Sequence, residues 1–364
     1  MRPHDRIPRP APAPRPPGID PVTPDWPRLI AASYRVLVGG DLEADLERTD
    51  RAILAHALTD DPRIVYVNGF AARLWERPRR TFVGMPSRWT APPEARSERA
   101  GALAPVGVVT GYRGERISAT GRRFVIRDAT VWPVLDDAGA VIGQAATFRD
   151  VERVTRPLLE ILATTPAEVA DAIARGADRI ELCVDYPAGG TTPPPDLIRE
   201  AVGLTAERSI GVMVMIRPRG GDFVYAPDEI ATMCREIATA VAAGASGLVL
   251  GCLTPAGAID VEAVRILLAE ADGVPVTFHR AVDVAVDPVA TAAAAFALGC
   301  ARVLTSGGAP TAPDGVATIR RMLEAAPPDR IVMPGSGVRG GNADALRAAT
   351  GATELHASLA YFRG

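Results

Sequence analysis

Two rhythms of apolar and polar positions run along the chain. From Trp26 to about Asp150, a helix, short strands and short helices lead into three strands in sequence. RIVYVN (Arg63 to Asn68) reads as a strand, Gly69 to Arg79 as a short helix, and Phe124 to Val134 alternates with period two. That alternation puts Phe124, Ile126, Asp128, Thr130, Trp132 and Val134 on one face, and the turn DDAG (Asp136 to Gly139) opens a return strand ending near Phe148. The pattern predicts an antiparallel α+β module. From Leu158 the runs turn continuously apolar, at 158–163, 179–183, 212–217, 247–253, 274–280, 301–306, 330–334 and 354–358. Helical stretches such as 166–176, 227–243, 260–271, 287–298 and 341–349 separate them. Eight βα units predict an α/β fold, a TIM (β/α)8 barrel, whose chemistry sits at the carboxyl ends of its strands.

Those ends carry polar residues in phase. In GVMVMIRPR, Met213, Met215, Arg217 and Arg219 share one parity, as do Glu181 with Cys183, Thr277 with His279, and His356 with Ser358. Isolated polar groups in a core are costly, so a convergent ring reads as a site. Arg217 and Arg219 are expected to grip an anion, aided by Arg280, Thr305, Ser306, Gly307 and His356, with the loop Gly335, Ser336, Gly337 as a phosphate cradle. His279 is the expected general acid or base, oriented by Glu181 or Asp283. Gly335, Gly337 and Gly340 also spell GxGxxG with Glu354 downstream, but only one further strand follows, which argues against a dinucleotide fold.

Composition narrows the chemistry. All 40 basic residues are arginine, which excludes Schiff-base lysines and a Walker phosphate loop. A net charge of −3 with interspersed signs leaves no footprint for nucleic acid, and no apolar run suits a membrane span. Cys183, Cys234, Cys252 and Cys300 lack CxxC spacing and no leader-like run precedes them, so reduced thiols in a cytoplasmic protein are expected. Residues 1–24, rich in Pro and Arg, are expected to form a disordered tail.

Two family resemblances add to this reading. RIVYVNGFAARLW, FVGMPSR, GYRGERISATGRRF and DATVWPVLDDAGAVIGQAATF resemble the MEKHLA domain, a PAS-like sensory or contact module, over 25–152. GADRIELC, GGTTP, MIRPRGGDF, GCLTPAGAID, VTFHRAVD, RVLTSGGAPTA, MPGSGV and ELHAS resemble the copper-homeostasis family CutC within 157–364. The latter implies a cytoplasmic TIM barrel, a homodimer, and copper held by cysteines on the first strands. Only Cys183 of that pair is present, because Leu162 stands at the other position. Cys252 is a possible substitute, with Met213 and Met215 as further soft donors and His279 or His356 suited to Cu(II). Copper homeostasis, an enzyme for a small anionic or phosphorylated substrate, and a non-catalytic sensor all stay open. The switch in pattern near Asp150 predicts two independently folded modules, and the short end LAYFRG predicts an uncovered seam beside the last strand.

Overall fold

The computed structural model describes residues 24–363, apart from 43–44, 104–106 and 155. The expected tail lies outside the described residues, save its last position. The first module is an antiparallel sheet of β1 (Ala52–Ala57), β2 (Ile64–Val67), β3 (Val109–Ile117), β4 (Arg123–Leu135), β5 (Val141–Phe148) and β6 (Val151–Arg153). Its strands lie in the order β2-β1-β5-β4-β3, with β6 added on β4, a PAS-like arrangement. Helix Trp26–Leu37, capped by Asp25, packs Trp26, Leu29 and Ile30 on one sheet face. The short helix Gly69–Leu74, capped by Asn68, and Trp75 and Phe82 close the other.

The single-face reading of β4 fails in its middle. Asp128 has φ +50°, and the pairing with β3 shifts between Tyr112 and Gly114. A left-handed residue inserts a bulge and reverses the alternation. Phe124, Ile126, Ala129 and Val131 therefore face the cavity side, while Trp132 and Val134 face the first helix.

The second module is an eight-stranded parallel sheet of β7 (Leu158–Ala163), β8 (Arg179–Leu182), β9 (Gly211–Met215), β10 (Gly247–Leu250), β11 (Val276–Phe278), β12 (Arg302–Thr305), β13 (Ile331–Pro334) and β14 (Glu354–Ser358). The ladder runs from β13 back to β7 and on to β14, which closes a TIM-like barrel except for a backbone ladder between β13 and β14. Ile161, Ile180, Leu182, Val212, Val214, Leu248, Phe278 and Val303 face the helices in one continuous core. The alternate positions turn to the axis, as the parity predicted. The seam beside β14 is covered only in part: Leu359, Tyr361 and Phe362, on the 3-10 turn Leu359–Arg363, are half-buried and pack on that core.

The β3–β4 turn, Ser118 to Arg122, plugs the barrel floor. The Ala119 carbonyl approaches Gly211 so closely that a Cβ there would lie 2.3 Å away. Arg179 donates to the Thr120 carbonyl (3.0 Å) and Arg302 to the Thr120 hydroxyl (2.7 Å). Arg302 also pairs with Glu76 (3.0 Å) and Glu354 (3.1 Å), and Arg179 with Glu160 and with Glu354 (2.6 Å). Glu354 thus neutralises floor arginines and is no ribose-binding acid.

Candidate functional site

Above the floor the axis carries a second charged cluster. Glu160 from β7, Glu181 from β8 and His356 from β14 face one another, all buried, each with a ligand atom within 4.8 Å of the others. His356 Nε2 stands 2.9 Å from Glu181 Oε2 and 3.9 Å from Glu160 Oε1, close enough for ionic attraction but without hydrogen-bond alignment. Burial alone would lower the His356 pKa, but Glu181 and then Glu160 raise it. Burial would likewise raise Glu181, and the His356 charge turns the balance downward. Each partner thus favours the charged form of the other. Gly335 makes room for it, since a Cβ there would sit 3.3 Å from His356 Nδ1 and 2.5 Å from Leu304.

His279 is tuned the opposite way. Burial first, then the Arg217 charge, lowers its pKa to about 4. Its Nδ1 accepts from the Ala281 N–H (3.2 Å), capping the turn Arg280–Val284, so the neutral ring carries its proton on Nε2. That Nε2 is buried and makes no hydrogen bond among the described residues. His279 is therefore built to donate a hydrogen bond, and its base role would require loss of the turn cap. Gly251 admits the ring, because a Cβ there would lie 2.6 Å from Nδ1.

Arg217 lies beside it, with the Phe223 ring 4.8 Å from the guanidinium and 4.9 Å from the imidazole. The guanidinium donates to the carbonyls of Ala188 (3.0 Å), Gly190 (3.1 Å) and Gly221 (2.9 Å), which ties two loops together. It is only 4% exposed, has no carboxylate partner among the described residues, and keeps a buried, unbonded Nε. The buried Tyr225 hydroxyl is the adjacent polar group, close enough to feel the Arg217 charge but without hydrogen-bond alignment among the described residues.

The other expected anion ligands are engaged locally. Arg219 pairs with Glu229 (2.6 Å) and Asp222 (3.0 Å), and Arg280 with Asp283 (2.8 Å). Asp283 accepts from the Thr305 hydroxyl (2.5 Å) and from the N–H groups of Ser306 (2.9 Å) and Gly308 (3.1 Å). It thus shapes the loop through Gly307, whose N–H donates to Thr305 Oγ1 (2.8 Å). Ser336, at φ +74°, donates to the Pro310 carbonyl, and Gly337 packs on Thr311. These groups build the rim, whereas Arg217, His279, Glu181 and His356 project inward.

The sulfur donors divide between two layers. Cys183, Met213 and Met215 form an axial cluster with Val249 and Leu162, and burial pushes the Cys183 thiol up to about 12. Cys252 belongs to the core between strands and helices, with Leu250 and Cys300. The sequence allowed Cys252 to face inward; the structure places it on the outer parity, away from Cys183. No two-thiol clamp is formed among the described residues, and the fit to copper is one thiol with neighbouring thioethers.

The CutC family profile matches residues 157–361. The chain belongs to the CutC family. A CutC family protein of Xylella fastidiosa (strain 9a5c) is 42% identical over 219 residues, 60% of this chain and 80% of its own length. One from Porphyromonas gingivalis (strain ATCC BAA-308 / W83) is 45% identical over 201 residues, 55% and 80% of the two chains. A solved structure named as the copper homeostasis protein CutC of Streptococcus agalactiae has a TM-score of 0.53 at 35% identity, covering 55% of this chain and 98% of that one. Residues 25–153 match the MEKHLA domain. Within the CutC barrel the sequence reading missed Glu160, Arg179 and Tyr225. For Glu160 the signal was a single acid inside the apolar run LLEILA, on the axial parity.

Proposed function

We propose that the CutC barrel of this chain binds a small anionic ligand at its mouth and moves a proton on it. The observation that carries this reading is Arg217, a buried guanidinium with no acid partner among the described residues and a free Nε, set beside the neutral His279 donor. An anion would supply the missing counter-charge. Arg217 and the His279 Nε2–H would hold and polarise it, while the Glu181–His356 pair, tuned apart from His279, is the acid–base element. Phosphate binding to the full chain tests this. Arg217→Ala should weaken it roughly tenfold to a hundredfold, the effect of losing one charge-assisted bond; unchanged phosphate affinity in that variant overturns it.

A copper reading is favoured by a different observation, the axial sulfur cluster of Cys183, Met213 and Met215. In it Cu(I) is cargo, held by one thiolate assisted by thioethers, in keeping with the name of the Streptococcus relative. The high thiol pKa makes such binding cost a proton and rise with pH. Cu(I) competition against a chromogenic chelator should show loss of binding in Cys183→Ser and a gain in Leu162→Cys, with no effect of Cys252→Ser. The free state of Cys183, Cys234, Cys252 and Cys300 supports a cytoplasmic location. The homodimer belongs to the same reading and is checked by light scattering.

A further inference from the structure

The N-terminal module has a cavity of its own, of about 30 Å³, lined by Trp75, Tyr112, Arg99, Arg116, His56 and Gln144 among others. Among the described residues its cations lack acids. Arg116 is 5% exposed, donates to the Glu115 carbonyl (2.8 Å) and the Tyr112 hydroxyl (3.1 Å), and lies 5.3 Å from the Tyr112 ring. The nearby Glu115 carboxylate is turned to Arg123 at 3.0 Å. Arg99, from helix Arg96–Leu103, makes one long bond to Ser87 Oγ (3.5 Å), and its Nε is buried without a partner. Burial and then the Arg116 charge lower the Arg99 pKa to about 10, and no carboxylate opposes them. Burial also lowers His56, with the Arg99 charge adding to the effect, so His56 brings no negative counter-charge either.

Two guanidiniums desolvated side by side are unfavourable without an anion between them. Guanidinium geometry suits a planar oxyanion, and the Tyr112 hydroxyl retains a proton to donate. Volume sets the size. A single water needs about 10–15 Å³ of such space, so the cavity admits roughly two water-sized spheres.

We propose that this cavity binds a small planar monovalent oxyanion, of formate or nitrite size, through Arg99 and Arg116. The module is then a small-anion receptor seated on the barrel floor. Its chemistry is independent of the barrel mouth, which lies at the opposite ends of the strands.

Tryptophan reports on the site. All four tryptophans of the chain, Trp26, Trp75, Trp89 and Trp132, lie in this module, and Trp75 lines the cavity. The full-length protein is titrated with sodium formate at constant ionic strength, set with sulfate, which is too large to enter. Intrinsic fluorescence and melting temperature are followed, and nitrite is tested by melting alone. A saturable change with formate and with nitrite is expected. Arg99→Met should weaken it at least tenfold, and should itself melt above the wild type in formate-free buffer, because a buried like charge is gone. Arg116→Gln should also weaken it. Should Arg116→Gln misfold, Arg99→Met decides alone, since Arg99 makes a single long hydrogen bond among the described residues. No saturable response to either anion in the wild type overturns the proposal, as does a response undiminished in Arg99→Met.

Discussion

Two histidines on one barrel axis have pKa values shifted in opposite directions, and the neighbours of each explain why. His279 has Arg217 beside it and a backbone N–H on Nδ1, both of which favour the neutral ring. His356 has Glu181 and Glu160 beside it, which favour the imidazolium. A raised histidine pKa contributes stability fully below its unfolded value, about 6.5, and loses it as pH rises through the folded value. Glu181, lowered, contributes above its ordinary 4.5 and loses it as pH falls through the folded value. The pair therefore stabilises most between those limits. Glu181→Gln should cost about 1–2 kcal/mol near pH 6, less than the 3–5 of a pair whose survivor cannot neutralise. The difference from wild type should shrink as pH rises toward 9. Thermal melts of both proteins across this range check the point, and a difference flat in pH would sink it.

Among the elements, β11 with its capping turn shows how backbone and site are joined. His279 directly follows that strand and is the N-cap of the turn Arg280–Val284, in a space that Gly251, just past the end of β10, leaves open. Gly251→Ala would put a methyl 2.6 Å from Nδ1 and force the ring out. We expect a loss of about 1–3 kcal/mol from overpacking, together with weakened phosphate binding, measured by melting and by titration. Intact binding would mean that His279 does not serve the mouth. The axial parities of β8, β9, β11 and β14 were readable in the sequence because alternation is a local property. What was not readable depends on partners from elsewhere. The carbonyls of Ala188, Gly190 and Gly221 around Arg217 come from loops that only the closed barrel brings together. The bulge at Asp128 hides because a left-handed aspartate has no unique local signature. Cys252 could be taken as inward only by extending the alternation past the end of β10 at Leu250, where it no longer holds.

In the whole molecule, the buried charges of the barrel floor reach across both modules. Arg179 and Arg302 are 0% exposed, and they donate to Thr120 and Glu76 of the first module as well as to Glu160 and Glu354 of the barrel. This argues against two independently melting pieces, because removing the first module would leave Arg302 without Glu76, and removing the barrel would leave Glu76 without Arg302. Burial by itself would raise the Glu76 pKa, but Arg302, Arg122 and the hydroxyls of Thr120 and Ser118 hold it at about 2. A carboxylate lowered from 4.5 to about 2 stabilises the docked state above 4.5 and loses that contribution as pH falls toward 2; the amount is on the order of 3 kcal/mol. Wild-type protein at neutral pH should therefore unfold in one calorimetric transition, and acid should separate the modules within that window. Glu76→Gln should split the transition already at neutral pH and remove the acid step, since the group that titrates is gone. Tryptophan fluorescence, which reports the first module alone, should then follow only one of the two transitions. A variant that melts in a single transition, with the same acid dependence as wild type, would show that the floor network does not couple the modules.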